Sequence, residues 1–310
     1  MLSLNTVMDQ FLLDLAWSLW TELGVAGIKQ KHQKFLIPLE ELIILTVALA
    51  EIDPRLRDES LDWCSQYHHF ISISRLKSIM KSFGSFNESF SVYSATLNAL
   101  SGTHWPLFQD ALPLKCTLSH KSYLRNSASP ALLNIRARSV FGTSARADLI
   151  VFFLTHPKVD FAASDVAEIG YSKRNLAEIL EEFCLSGLFN KFLCRNQQRY
   201  RLAKHDQLIK IVGPIPDYTP SWRTIFEFLL TIRDRLHRTE KSAESTRVVE
   251  IRNLLTSLQK NLNNIDLEPP PWEGNVHAYL NTFGEWLIEI VRKLAQGDFS
   301  YYSRMTRKIT

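Results

Sequence analysis

The 310-residue chain has the composition of an ordinary globular protein, with 45% hydrophobic and 22% charged residues. This composition excludes an extensively disordered chain, and the length allows two or three domains. The formal net charge of +4 is too small to identify a partner, so the distribution of charge along the chain is more informative than its total. The four cysteines have no disulfide-framework spacing, and the apolar run "FLLDLAWSLW" is too short to span a bilayer. We therefore expect a cytoplasmic protein with no membrane partner.

The two ends of the chain are predicted to be helical. In residues 1–110 an apolar helix face is formed by Leu12, Leu15, Ala16, Leu19 and Leu23, and further helices are expected to begin at Pro38 and at Asp53. Residues 221–310 return to the helical pattern and end in a basic tail. The expected fold class is mainly α, with a helical N-terminal bundle and a helical C-terminal domain on either side of a smaller central domain.

Residues 111–144 are predicted to be a basic connector. The window 111–147 contains no Asp or Glu, and its six cations are Lys115, Lys121, Arg125, Arg136, Arg138 and Arg146. A stretch of this kind can follow the phosphates of a nucleic acid. The alternative is a connector whose arginine side chains extend over a domain junction. A second linker, a Pro-rich hinge, is expected at 205–220.

Residues 145–204 form the most informative unit. A helix ending at Pro157 is followed by a short helix in "AASDVAEIG", a turn at Gly170 and a third helix that ends at Gly187. Two strand-like runs, "GLFNKFLC" and "RYRLA", then flank the polar residues "RNQQ" and predict a β-hairpin.

The order helix, helix, turn, helix, hairpin and the phrase "ASDVAEIGYSKRNL" resemble the winged helix-turn-helix regulators of bacteria and archaea. The resemblance covers about 60 of the 310 residues. It implies a recognition helix whose first turn enters the major groove, and a wing that reaches the backbone or the minor groove. It further implies sequence-specific binding of double-stranded DNA, transcriptional repression and a homodimer on paired half-sites.

The expected DNA contacts lie on three segments. On the third helix and the wing they are Ser172, Lys173, Arg174, Asn175, Lys191, Arg195, Gln197 and Arg199, and on the connector and the first helix they are Arg136, Arg138 and Arg146. Arginine pairs with guanine, asparagine pairs with adenine, and lysine or serine contacts phosphate. On the third helix and the wing the expected contact surface is purely basic.

The stretches "NIRARSVFGTSARADLIVFFLTHP" and "LAWSLWTELGV" are also similar to proteins of nucleotidyltransferase-type toxin loci or mobile defence loci. That similarity implies an antitoxin or a self-regulator, and no functional residue is carried over from it. The alternative function is a protein-interaction scaffold that uses the winged domain as a docking module. A protein partner could also bind the N- or C-terminal helices.

Two other groups of residues have side chains that are capable of chemistry. Cys64 with His68 and Cys116 with His120 have a helical spacing that a zinc site uses, although nothing in the sequence brings the pairs together. The acidic helix "DPRLRDESLDW" interleaves carboxylates with arginines, a pattern typical of ion pairs on a solvated face. No phosphate loop, nucleophile elbow or metalloprotease signature occurs, so neither an enzyme nor a cofactor is expected.

Overall fold

The computed structural model describes residues 3–27, 30–124 and 128–298, and over these ranges the protein is mainly helical. The expected mainly α fold with one small β-hairpin is confirmed, since the described residues contain one two-stranded antiparallel sheet. Arg125 of the basic connector and the basic tail from Tyr301 onward lie outside the described residues. None of the helices within these ranges is both long enough and apolar enough to cross a membrane.

The first third of the chain folds into helices whose starts follow local sequence signals. These helices are α1 (Leu4–Glu22), α2 (Leu39–Leu49), α3 (Pro54–Tyr67), α4 (Ile73–Met80) and α5 (Asn87–Ser101). The side chain of Ser3 accepts a hydrogen bond from the backbone N–H of Thr6, and that of Asp53 accepts one from Leu56. Each oxygen satisfies a backbone N–H that has no partner within its helix, which stabilises the start of the helix.

The middle of the chain contains both strands. Its elements are α6 (Leu133–Phe141), α7 (Ala145–Leu154), α8 (Lys173–Leu185), β1 (Phe189–Cys194), β2 (Gln197–Leu202) and α9 (His205–Val212). Phe153 of α7, Leu180 of α8 and Phe189 of β1 are buried in a common core. This packing holds α8 and the hairpin against α7.

The C-terminal helices are α10 (Trp222–Arg238), α11 (Glu244–Ser257), α12 (Gln259–Asn264) and α13 (Val276–Gln296). They share one hydrophobic core with α1 to α5, so the two ends of the chain are packed together rather than forming separate cores. The buried ring of His32 illustrates the join, since its Nε2 donates to the carbonyl oxygen of Leu294 in α13 at 2.9 Å. Its Nδ1 accepts from the hydroxyl of Ser18 in α1 at 2.8 Å.

Three segments differ from the sequence-based expectation. The second half of the basic connector is helical, because it contains α6, and the first half of the Pro-rich hinge is α9. The three prolines of that hinge follow α9, so they do not interrupt it. In place of the short helix in "AASDVAEIG" the chain has turns and a single 3-10 turn over Ala167–Ile169. The carboxylate of Asp165 accepts a hydrogen bond from the backbone N–H of Ala162 at the start of these turns.

Candidate nucleic-acid interface

The first turn of α8 is exposed while the opposite face of the helix is buried. Ser172 is the N-cap, and its hydroxyl accepts a hydrogen bond from the backbone N–H of Asn175. The side chains exposed at this end of the helix are those of Ser172, Lys173, Arg174 and Asn175. The buried side chains are those of Leu176, Ile179, Leu180 and Phe183. The helix therefore presents a polar and cationic N-terminal turn to solvent, as the sequence predicts.

The turn before α8 is fixed by contacts to the N-terminal helices. Gly170 has a φ of +100°, a conformation that side-chain-bearing residues rarely adopt. A Cβ atom added at this position would lie 3.0 Å from Cγ of Arg75 in α4. The hydroxyl of the next residue, Tyr171, donates to Asp148 at 2.8 Å and accepts from the hydroxyl of Ser72 at 2.9 Å. These contacts connect the start of α8 to α4 and to α7.

The hairpin that follows α8 has a two-residue turn. Its register pairs Phe189 with Leu202 at the open end and Cys194 with Gln197 at the closed end. Arg195 and Asn196 form the turn, with φ angles of +48° and +61°. Two positive φ angles are the mark of the type I′ turn, which matches the twist of the flanking strands. The tip is thus shorter than the predicted "RNQQ", because both glutamines belong to β2.

Several predicted contact residues are ion-paired, so the surface carries mixed charge and is not purely basic. Each exposed pair joins one cation to one nearby carboxylate: Arg174 with Glu178, Lys191 with Glu181, Arg146 with Glu182 and Arg201 with Asp160. The hydrogen bond from Lys191 lowers the pKa of Glu181, and that from Arg201 lowers the pKa of Asp160. These carboxylates are therefore ionised at neutral pH.

Lys173 and Arg195 differ from the other cations of this surface. Both side chains are exposed, and neither forms an ion pair with any residue that the structure describes. Arg199 is half-buried, where it contacts Asp165 at 3.4 Å and the carbonyl oxygen of Asp160. The side-chain amide of Gln197 donates to the hydroxyl of Ser164 at 3.3 Å. The wing therefore offers one unpaired cation at its tip and anchored polar groups along β2.

Arg138 does not lie at the surface, contrary to the expectation that it contacts DNA. Its side chain is only 1% exposed, and its guanidinium donates to both carboxylate oxygens of Asp148 and to Glu40. It also donates to the backbone carbonyl of Phe70 at 2.7 Å. With every part of the guanidinium engaged inside the protein, Arg138 acts as a structural cation.

Arg136 is likewise directed at the protein rather than at solvent. Its guanidinium donates to the backbone carbonyl oxygens of Val212, Ser129 and Pro214. These bonds hold the segment after α9 against α6. The two connector arginines thus support the second reading of the basic window, in which arginines join neighbouring parts of the fold.

Arg138 belongs to a network of charged side chains inside the protein. It contains two guanidinium groups and three carboxylates: Arg75, Arg138, Glu40, Glu41 and Asp148. Burial alone would raise the pKa of Glu40, but the neighbouring guanidinium groups lower it to about 2. Glu40 therefore stays ionised between its two arginines, and the network connects α2, α4, α6 and α7.

The Cys/His pairs and the acidic helix have structural contacts. Cys64 is buried, and this burial raises the pKa of its thiol to about 12. Within the described ranges no group of three or more His, Cys, Asp or Glu is arranged to hold a metal ion. Asp62 of the acidic helix is fully buried and accepts hydrogen bonds from the backbone N–H groups of His120 and Ser122. It therefore anchors a loop rather than facing solvent.

Comparison with known proteins adds no relative to this description. No protein-family profile, curated protein or solved structure matches the chain. The residues that fix the start of α8 include Arg75, Ser72 and Tyr171. Tyr171 belongs to the phrase that resembles winged regulators, whereas nothing in the sequence singles out Arg75 or Ser72.

Proposed function

We propose that residues 145–204 are a winged helix-turn-helix unit that binds double-stranded DNA, with α8 as the recognition helix and the β1–β2 hairpin as the wing. The observation that carries this proposal is the exposed, cationic first turn of α8, which stands on a buried apolar face and is followed at once by a tight hairpin. A helix held in this way can enter the major groove with its N-terminal side chains directed at base edges. The departure from a regular unit is the turn that replaces the helix before Gly170.

The proposed contacts divide by their chemistry. Arg174 and Asn175 carry the groups that pair with guanine and with adenine, and Lys173 and Ser172 contact phosphate. At the wing, Arg195 contacts the backbone or the minor groove, with Gln197, Arg199 and Lys191 behind it. Arg146 adds a phosphate contact beside α8, whereas Arg136 and Arg138, whose guanidinium groups are bonded to other parts of the protein, take no part.

The ion pairs on this surface are compatible with DNA binding. Both partners of the Arg174–Glu178 pair are exposed, at 90% and 60% of their side chains. Solvent screens such a pair strongly, so it holds its cation weakly. A DNA phosphate can replace Glu178 as the partner of Arg174. The acidic side chains nearby then oppose poorly placed phosphates, so the surface favours those DNA sequences that place base edges and phosphates well.

The biological role that fits this binding is regulation of transcription. We propose a repressor, including the case of an antitoxin or a regulator of its own defence locus, that binds as a homodimer to two half-sites. In such a dimer the half-sites are separated by about one helical turn of DNA, about 34–36 Å. The dimer contacts, or the contacts to a protein partner, would be made by the outer faces of the N- and C-terminal helices.

The test is a binding titration of fluorescently labelled random duplex DNA at low salt. We expect the wild-type protein to bind, and the double variant Lys173→Ala/Arg174→Ala to bind at least about tenfold more weakly. The matched control is Arg238→Ala/Lys260→Ala, which removes the same charge from exposed positions at the end of α10 and in α12. Equal affinity of the two double variants would show that α8 is not the contact.

A second function, protein docking through the same unit, is favoured by one observation. Leu185 at the end of α8 is 89% exposed and Leu193 in β1 is 69% exposed, which places two large apolar side chains on the unit's surface. Apolar side chains of this kind are typical of protein contacts. If DNA does not bind, substitution of Leu185 and Leu193 by Ser should abolish capture of the partner protein, while Lys173→Ala/Arg174→Ala should leave it unchanged.

A further inference from the structure

The segment between α5 and α6 exposes a group of large apolar side chains. From residue 102 to residue 124 the chain forms neither helix nor strand. Five large apolar side chains of this segment are exposed to solvent: Leu107, Phe108, Leu112, Leu114 and Tyr123. Four of them lie close together in residues 107–115, which we call the apex loop. Exposed apolar side chains that are grouped in this way are typical of protein contacts.

The apex loop is held by side chains of the helix beneath it. The backbone N–H groups of Phe108 and Gln109 both donate to the hydroxyl of Ser91 in α5. The backbone N–H of Leu114 donates to the hydroxyl of Thr96 in the same helix. The loop is therefore fixed before any partner arrives, so a contact through it costs less conformational entropy than a contact through a free segment would.

The middle of the apex loop projects away from α5. Ser91 and Thr96, which hold its two ends, are about 7.5 Å apart along the helix axis, since each residue of a helix adds about 1.5 Å. Five residues of extended chain reach about 17 Å. The chain between these two anchors must therefore bow outward, and Leu112 near its middle is 84% exposed.

One carboxylate and one ammonium group lie on either side of Leu112, and neither is paired. Asp110 precedes Leu112 by two positions, and Lys115 follows it by three. Both side chains are exposed, and neither forms an ion pair with any residue in the described part of the chain. The apex loop thus presents an apolar centre between two free charges of opposite sign.

A two-fold axis at the apex would pair both charges at once. In the symmetric contact of a homodimer, residue i of one subunit faces residue j of its partner, and residue j faces residue i. If two apex loops meet in antiparallel orientation, centred between Leu112 and Pro113, then Asp110 faces Lys115 of the partner subunit. The same axis places Lys115 opposite Asp110 of the partner subunit, and the two Leu112 side chains lie near the centre. The loop is therefore complementary to a second copy of itself.

We propose that the apex loop is a dimer contact and that its partner is a second copy of this chain. The loop lies on the outer side of α5 in the N-terminal helices, on a different segment from α8 and the wing. Because the contact is small beside the roughly 800 Å² per partner of a stable interface, the dimer forms reversibly at micromolar concentration. The proposal supplies a contact for the homodimer of the proposed function, and it rests on that function only for the role of the dimer.

Sedimentation equilibrium of the full-length protein without DNA, from about 1 to 200 µM, measures the dimer. Leu112→Ser should weaken dimerisation at least about tenfold, because it removes the apolar side chain at the centre of the contact. Leu185→Ser is the matched control, since it removes an equally exposed leucine from the end of α8, and it should leave dimerisation unchanged. Both substitutions lie at the surface, so neither should change thermal unfolding.

Charge exchange tests which side chains face each other. Asp110→Lys places two cations opposite one another at each half of the contact, and Lys115→Asp places two carboxylates there, so each variant alone should dimerise at least about fivefold more weakly. An equimolar mixture of these two variants should form a heterodimer, because opposite charges then meet on both sides of the axis. The double variant Asp110→Lys/Lys115→Asp should dimerise with itself like the wild type. Asp206→Lys, at an exposed position in α9, is the control for added charge and should have no effect.

Three results would overturn the proposal. They are a wild-type protein that stays monomeric up to about 200 µM, a dimer that Leu112→Ser and Leu185→Ser affect equally, and a mixture of the two charge variants that does not recover dimerisation. An apolar loop covered by another part of its own chain would give the first of these results.

The dimer and the proposed DNA binding can fail separately. The sedimentation assay contains no DNA, and Lys173→Ala/Arg174→Ala should dimerise like the wild type. A dimer that responds to the apex-loop variants in a protein that does not bind DNA would therefore contradict only the proposed function. DNA binding by a protein that stays monomeric in this assay would contradict only the apex-loop contact.

Discussion

The Nε atom of Arg75 donates a hydrogen bond of 2.7 Å to the carbonyl oxygen of Ile169, immediately before the turn that leads into α8. The same guanidinium pairs with Glu40 and Glu41 of α2. One partly buried cation in α4 therefore both neutralises two carboxylates of the N-terminal helices and holds the backbone that positions the proposed recognition helix. The position of α8 is thus set by the larger core as well as by its own.

Arg75→Gln should lower the stability of the protein substantially. The substitution leaves Glu40 and Glu41 without one of their partners in a buried environment, and breaking a buried pair in this way costs about 3–5 kcal/mol. Urea denaturation followed by circular dichroism measures the change in the free energy of unfolding. Lys77→Gln, on an exposed position of the same helix, is the control and should change it little. A loss below about 1 kcal/mol in Arg75→Gln would contradict this account of the network.

Gly170→Ala should destabilise the protein more than Gly187→Ala does. Both glycines have positive φ, so both substitutions strain the backbone, at a cost of about 1 kcal/mol or more. A Cβ at Gly187 meets nothing within 4 Å, whereas one at Gly170 presses on the side chain of Arg75. The difference between the two unfolding free energies, measured under the same conditions, reports the contact with Arg75 together with the larger φ of Gly170 (+100° against +71°). Equal costs would show that Arg75 yields freely.

Local signals predicted the proposed site well. The glycines on either side of α8 are short-range signals, and both lie where the sequence places them. The helix expected before Gly170 is wrong over only a few residues, and the wing tip is two residues shorter than expected. The apolar pattern does not distinguish a single 3-10 turn from a short α-helix at this position.

The sequence could not show which residues from distant parts of the chain lie next to each other. Arg138 and Arg146 look alike in an acid-free window, yet Arg138 is buried because Glu40 lies next to it, 98 positions earlier in the chain. The common core of α1 and α13 could not be inferred for the same reason, since periodicity identifies the apolar face of a helix but not the helix that covers it. Composition suggested a connector at 111–144, and tertiary contacts made part of it a helix.

The buried imidazole of His32 predicts a loss of stability in mild acid. Burial lowers the pKa of His32 from 6.5 to about 4, so the folded state keeps the ring neutral where the unfolded state protonates it. The contribution of the neutral His32 ring to the free energy of unfolding is complete above pH 6.5. It is lost as the pH falls from 6.5 toward 4, and the loss is about 2 kcal/mol at pH 5. Urea denaturation at pH 7.5, 6 and 5 measures this slope. His32→Gln should show a smaller slope over the same interval, and an unchanged slope would contradict the assignment.

At the hairpin tip we expect Arg195 to favour DNA binding at a cost in stability. Arg195 occupies a left-handed conformation that asparagine tolerates better, so Arg195→Asn should raise the free energy of unfolding by up to about 1 kcal/mol. The same change should weaken DNA binding, because it removes the unpaired cation of the wing. Asn196→Ala, at the other turn residue, should instead lower stability by about 1 kcal/mol. Denaturation and DNA titration of both variants check the two effects. If Arg195→Asn neither raises stability nor weakens DNA binding, Arg195 is not a strained DNA contact.

The most direct measurement of the central claim is the salt dependence of binding to duplex DNA, from about 50 to 200 mM salt, for the wild type and Lys173→Ala/Arg174→Ala. Each phosphate contact contributes about 0.9 to the slope of the logarithm of affinity against the logarithm of salt concentration. If α8 lies on DNA, the wild-type slope should be steep, and the double variant should flatten it by about one to two units, unlike Arg238→Ala/Lys260→Ala. A wild-type slope that the α8 substitutions leave unchanged, or no binding at 50 mM salt, would contradict the assignment of α8 as a DNA-recognition helix.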